Sequence, residues 1–290
     1  TQTMFPATCE AHHLFRRMIV RIAGTMVENK EFFAREEEFA RRLLPNEKRR
    51  DLASMYLGVG YDGGNGHDLE PGVLAAGATK NVLFRPLTSA VLNMKKYLPS
   101  CLIGSGMTIE LELADYADSL VFERQWPGRS QVFTHSQEYT ISDARVLVDE
   151  VVVKSDLQNR YSQILQDGKS VYLELENLSD NTVQYFPANQ GKFSIVSHRQ
   201  YSMVNTVIIT FTGGQITAAE DIAWEKDVNN FYLPANAEDT IATNIVINGV
   251  RKPNFDNLGI QQHWNRFLRA VGAYAGVGTS TSISFSGFGG

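Results

Sequence analysis

Along much of this chain apolar and polar residues alternate one for one, the spacing of a strand with a single covered face. Residues 108–114 show it most cleanly, with Ile109, Leu111 and Leu113 on one face and Glu110 and Glu112 on the other. Residues 170–176 repeat the pattern, setting Val171, Leu173 and Leu175 against Tyr172, Glu174 and Glu176. The stretches 144–153 and 204–211 are nearly continuous in aliphatic and β-branched residues, which predicts strands covered on both sides. Ile241, Thr243, Ile245 and Ile247 form a further alternating set, closed by Asn248-Gly249, a dipeptide suited to a tight hairpin turn. One-sided strands separated by loops predict antiparallel sheets packed face to face.

Three segments switch to helical spacing. Residues 31–44 place Phe32, Phe39, Ala40 and Leu43 on one stripe, and Pro45 ends the run. Residues 156–166 carry Leu157, Tyr161, Ile164 and Leu165 behind a capping-box pattern, Ser155 with Gln158, and Gly168 closes them. Residues 260–274 align Ile260, Trp264, Phe267, Leu268, Val271 and Tyr274. The fold class is therefore all-β with a few inserted helices.

A strand, a glycine turn and an amphipathic helix occur twice. Residues 19–24 lead into the helical stretch 32–44, and 245–249 into 260–274. Gly24 and Gly249, Phe39 and Trp264, and Leu43 and Leu268 are each 225 positions apart. Solenoid units recur every few tens of residues, so this spacing points to two related domains in tandem. Residues 123–137, around Trp126-Pro127-Gly128, read as the linker. The expected division is 1–125 for the first domain, 126–137 for the linker and 138–290 for the second. The Gly/Ser/Thr-rich tail 276–290, with Ile283, Phe285 and Phe288 alternating, reads as a strand whose partners lie beyond the sequence. Both domains are expected to be incomplete at the outer ends.

Composition narrows the function classes. A chain of 290 residues with 43% hydrophobic and 20% charged residues can bury ample core. Its net charge of −5 lacks the basic excess of a dedicated nucleic-acid clamp. The basic pairs Arg16-Arg17, Arg41-Arg42, Lys48-Arg49-Arg50 and Lys95-Lys96 flank helices or acids such as Glu36-Glu37-Glu38, and read as a solvated face. Only Cys9 and Cys101 are present, which gives no disulfide framework and fits a reducing compartment. The apolar runs fall short of the ~20 residues that span a bilayer.

The motifs for chemistry are sparse. Gly58-Val59-Gly60-Tyr61-Asp62-Gly63 matches a dinucleotide fingerprint, but a helical stretch precedes it and Gly64-Asn65-Gly66 follows. The fingerprint needs a strand before and a helix after, so this segment reads as part of a long glycine-rich loop, 58–77. Asp62, Asn65 and Asp68 offer oxygens without the spacing of a calcium loop. His12-His13 is the one paired histidine, with no companion spacing of a zinc motif, while His67, His135, His198 and His263 are scattered. Surface or capping roles are expected for all six. Glu110 with Glu112 and Glu174 with Glu176 are carboxylate pairs of the kind glycoside hydrolysis uses, but each pair lies on the polar face of a strand. No catalytic, cofactor-binding or metal-binding residue is assigned, and no cofactor is expected.

One resemblance adds to this reading. Leu83-Phe84-Arg85-Pro86-Leu87, Lys95-Lys96-Tyr97-Leu98-Pro99 and Thr108-Ile109-Glu110-Leu111-Glu112-Leu113 resemble the double jelly-roll major capsid proteins of double-stranded DNA viruses. The flavour is that of the virophage, Polinton and adintovirus-like branch, with the large nucleocytoplasmic viruses further off. Residues 143–153, 157–161 and 165–170 continue the likeness across the opening of the second roll. Residues 22–28 look like the strand and turn of the first roll, and Ile247-Asn248-Gly249 like its counterpart. The likeness covers most of the chain as a run of short motifs, although such proteins usually run longer.

The resemblance implies two tandem jelly-roll sandwiches and a structural protein without enzymatic activity. It implies a homotrimer whose six jelly rolls tile an icosahedral shell around a double-stranded DNA genome. Its partners would be neighbouring capsomers and minor capsid proteins, with no specific nucleic-acid binding and no transmembrane segment. The chain would be found in the virion after assembly inside the host cell. Two other readings remain open at this stage: a minor capsid or vertex component on a similar fold, and a β-sandwich carbohydrate-active enzyme.

Overall fold

The computed structural model describes residues 3–6, 11–45, 47–48, 74–75, 77, 79, 81–115, 120–122, 139–173, 175, 177–178, 192, 194–196, 204–210, 242–272 and 283. Eight strands lie among them: β1 Thr3–Pro6, β2 Phe15–Ile22, β3 Thr25–Lys30, β4 Leu74–Ala75, β5 Met107–Leu113, β6 Leu120–Phe122, β7 Ala242–Ile247 and β8 Val250–Leu258. The described helices are α1 Phe33–Arg42, α2 Ser155–Gln166 and α3 Gly259–Ala270, with short 3-10 turns at Ala11–Leu14 and Ser100–Leu102. Every pairing is antiparallel, in sheets ordered β4-β1-β6, β3-β2-β5 and β7-β8. The expected β-rich class with a few inserted helices is what the chain adopts.

The two predicted turns are built alike. Ala23 and Gly24 close β2 onto β3 with φ of 50° and 78°, and Asn248 and Gly249 close β7 onto β8 with 50° and 77°. Two consecutive residues at positive φ make the turn whose twist matches that of paired strands, and this region favours glycine and asparagine. A helix follows each hairpin, α1 after β3 and α3 after β8. The spacing of 225 residues thus relates two hairpin–helix units. They differ in one respect. A single-residue bulge at Val27 shifts the first ladder, whereas β8 carries a longer irregularity opposite Asn244.

The main core lies on one face of the β3-β2-β5 sheet. Met18 and Val20 of β2 are fully buried there with Phe33 of α1 and Val91. Phe84 stacks on Phe15 at 5.4 Å and meets Phe33 edge-on at 6.3 Å, so 84–94 covers the sheet alongside α1. Burying Phe33 contributes about 1.5–3 kcal/mol, and its aromatic contacts add to that.

Several sequence expectations give way. Residues 144–153 and 204–210 form no strand, and Leu147 and Val152 stand 78% and 87% exposed. Aliphatic composition favours a strand only where a neighbouring edge and a facing layer exist, and no described residue supplies either. The described residues of 170–176 (170–173 and 175) likewise carry no strand, and Glu174 and Glu176 lie outside the described set. The capping box at Ser155 does not form: α2 begins at Ser155 itself, with Lys154 as its cap and no side-chain hydrogen bond there. In α3 Ile260, Trp264, Phe267 and Leu268 of the expected stripe are partly buried, as is Val271 just past the helix end, while Tyr274 lies outside the described residues. The linker 123–137, the loop 58–73 and the tail 276–290 except residue 283 fall outside the described residues.

Candidate functional site

Helix α1 buries a different face from the one its apolar residues mark. Phe32 is exposed, while Glu36, Glu37 and Glu38 are 7%, 0% and 0% exposed and Arg41 is buried beside them. The solvated face expected of the basic pairs therefore fails at Arg41, while Arg16, Lys95 and Lys96 are exposed as expected. The cause is segment 85–93, which folds over the charged side of the helix and brings hydrogen-bond donors to it. Glu37 accepts the backbone N–H of Leu87 at 2.9 Å, the N–H of Thr88 at 2.8 Å and the Thr88 hydroxyl at 2.6 Å. Charge-assisted bonds of this length compensate the loss of water around a carboxylate.

Strand β3 repeats the device. Its pleat points Glu28 and Lys30 inward, opposite Val20 and Met18 of β2. Glu28 accepts the Ser89 hydroxyl at 2.9 Å and the Val91 N–H at 2.6 Å. Lys30 Nζ lies 2.7 Å from Glu36, donates to the Leu178 carbonyl at 2.6 Å and reaches Asn177 Oδ1 at 3.3 Å. Two buried glutamates thus hold 87–91, and one buried lysine holds 177–178.

At the other end of α1 the 3-10 turn Ala11–Leu14 lays two histidines against the helix. His12 and His13 are fully buried, with ring centroids 4.3 Å apart and planes tilted by 50°. Both direct Nε2 at the same Glu38 oxygen, Oε2, at 3.5 Å and 3.9 Å. The other oxygen, Oε1, accepts Arg42 Nε at 2.6 Å. Burial, the largest influence, and the adjacent His12 hold His13 well below its ordinary pKa of 6.5, with Arg41 and Arg42 acting the same way against the pull of Glu38. His13 is therefore neutral near pH 7. The surface role expected of the pair does not hold. Of the other histidines, His263 is described: Nδ1–H donates to the Gly259 carbonyl at 2.6 Å and Nε2 accepts the Thr243 hydroxyl at 2.8 Å, which ties α3 to β7.

The remaining sequence candidates do not converge. Glu110 pairs with Arg21 at 3.1 Å and Glu112 approaches Arg16 at 3.9 Å, all on the open face of the β3-β2-β5 sheet. These are cross-strand ion pairs, and among the described residues no second carboxylate faces either glutamate across a cleft. Asp62, Asn65, Asp68, the Gly58–Gly63 motif, His67, His135, His198 and Cys9 lie outside the described residues. A shallow cavity of about 320 Å³ is lined by Ile22, Leu98, Pro99, Leu102, Leu165 and Val171 among others, which is an apolar seam between β2, 98–103 and α2. Among the described residues no helix is long and apolar enough to cross a membrane.

His12, His13 and Glu38 form a buried grouping that sequence reasoning missed. Glu38 lies 26 and 25 positions beyond the two histidines, and no spacing rule joins a paired histidine to the middle of a charged helix. A weak signal was present in Glu36-Glu37-Glu38, three consecutive carboxylates that sweep about 200° of the helix circumference. Comparison of the chain with protein-family profiles, with curated proteins and with solved structures found no match.

Proposed function

We propose that this chain is a structural subunit of a viral shell, built as two tandem jelly rolls and assembling as a homotrimeric capsomer. The observation that carries the reading is the pair of hairpin–helix units 225 residues apart, each turning on two residues of positive φ. The motifs at 83–99 and 108–113 that resemble double jelly-roll capsid proteins fall on the segment and strand that complete the first unit's sheet and core. Exposed aliphatic side chains on 146–152 and 204–209, and Val246, Ile247 and Val250 of the second hairpin, supply apolar surface for neighbouring subunits. In this role the glutamates of β5 brace the sheet surface, and the protein catalyses no reaction.

Electron microscopy of the purified, concentrated chain tests the proposal. Class averages should show a three-fold particle with a hexagonal outline made of six similar lobes. Particles with one or two lobes and no three-fold symmetry would count against it.

A further inference from the structure

His12, His13 and Glu38 bring together three buried donors of the kinds that bind a metal. Zinc holds histidine nitrogen and carboxylate oxygen at about 2.0–2.2 Å, so two ligands on one tetrahedral ion stand about 3.3–3.5 Å apart. The two imidazole nitrogens lie 3.5 Å and 3.9 Å from Glu38 Oε2, and one donor atom from each residue falls within 4.8 Å of the others. A direct charge-assisted hydrogen bond would draw the pairs to about 2.7–2.9 Å. We propose that His12, His13 and Glu38 bind one zinc ion, which fastens the 11–14 turn to helix α1.

Arg42 holds Glu38 by Oε1 and leaves Oε2 turned to the histidines, as an outer-shell partner orients a carboxylate ligand. Two imidazoles and one carboxylate suit zinc, whereas calcium and magnesium favour all-oxygen sets. Three protein ligands leave one tetrahedral position for water or a further donor. The centre does not depend on the shell-forming role, because the ligands hold one chain to itself.

The test begins with the 290-residue chain stripped by chelator. One molar equivalent of zinc should bind per chain and raise Tm by about 5 °C or more. Cobalt should give the visible bands of a tetrahedral site, and zinc should abolish them. Glu38→Gln should weaken zinc binding by at least about 10-fold, and His13→Gln should abolish the thermal shift. A His13→Gln protein that folds and still gains the full shift would overturn the proposal. If neither variant folds, the cobalt spectrum of the unaltered chain decides: tetrahedral bands support the centre, and their absence refutes it. Stripped protein whose Tm does not respond to zinc would refute it as well.

Discussion

Thr88 binds Glu37 twice, giving its backbone N–H and its hydroxyl to the same carboxylate oxygen across 51 residues of chain. That contact closes a loop over helix α1 and makes an ionised side chain part of the core. Removing one member of such a buried network costs about 3–5 kcal/mol, because the groups left behind keep their desolvation penalty. Glu37→Ala should therefore lower Tm by about 10 °C in thermal denaturation. Thr88→Val, which removes the hydroxyl and keeps the N–H, should cost about 1–2 kcal/mol.

Lys30 and Glu36 form the second buried pair, at 2.7 Å. Lys30→Met should cost about 3–5 kcal/mol, and adding Glu36→Leu should recover at least half of that loss. Denaturant midpoints for the two single variants and the double variant measure the coupling directly. Strictly additive losses would contradict a specific pairing.

The turns make a conformational prediction. A side chain at Gly24 or Gly249 meets no atom within 4 Å, so the cost of Gly24→Ala or Gly249→Ala is the left-handed backbone alone, about 1–2 kcal/mol. Ala23 occupies the same region at φ 50°, where Asn248 stands in the second unit. Ala23→Asn should therefore stabilise the chain, by up to about 1 kcal/mol in chemical denaturation.

Acid should loosen the N-terminal turn. Burial and His12 depress the folded-state pKa of His13 below 6.5, so the unfolded chain takes up that proton first. Stability is then complete above about pH 6.5 and falls as pH drops below it, by at most about 1.4 kcal/mol per pH unit. Chelator-treated protein should show this decline in urea midpoints between pH 7 and pH 5, and His13→Gln should flatten it.

Local structure was legible where the residue pattern itself decides the outcome. Asn248-Gly249 and the alternation of 108–113 fix a turn and a strand by backbone sterics and pleat, and Ile260, Trp264, Phe267 and Leu268 mark the stripe that α3 partly buries. Residues 144–153 misled because aliphatic runs report a liking for cover and say nothing about whether cover exists. The buried acids of α1 misled for the opposite reason. Charge pattern alone reads as exposure, and the donor that reverses it at Glu37, Thr88, lies about fifty residues downstream. The histidine and glutamate grouping was illegible on the same ground, since only the packing of the 11–14 turn on α1 unites it.

The molar mass of the 290-residue chain by light scattering tests the capsomer most directly. Three copies of the 32.4 kDa chain give about 97 kDa, and that mass should persist on dilution as an obligate interface requires. A single species at 32.4 kDa across the accessible concentration range would contradict the account.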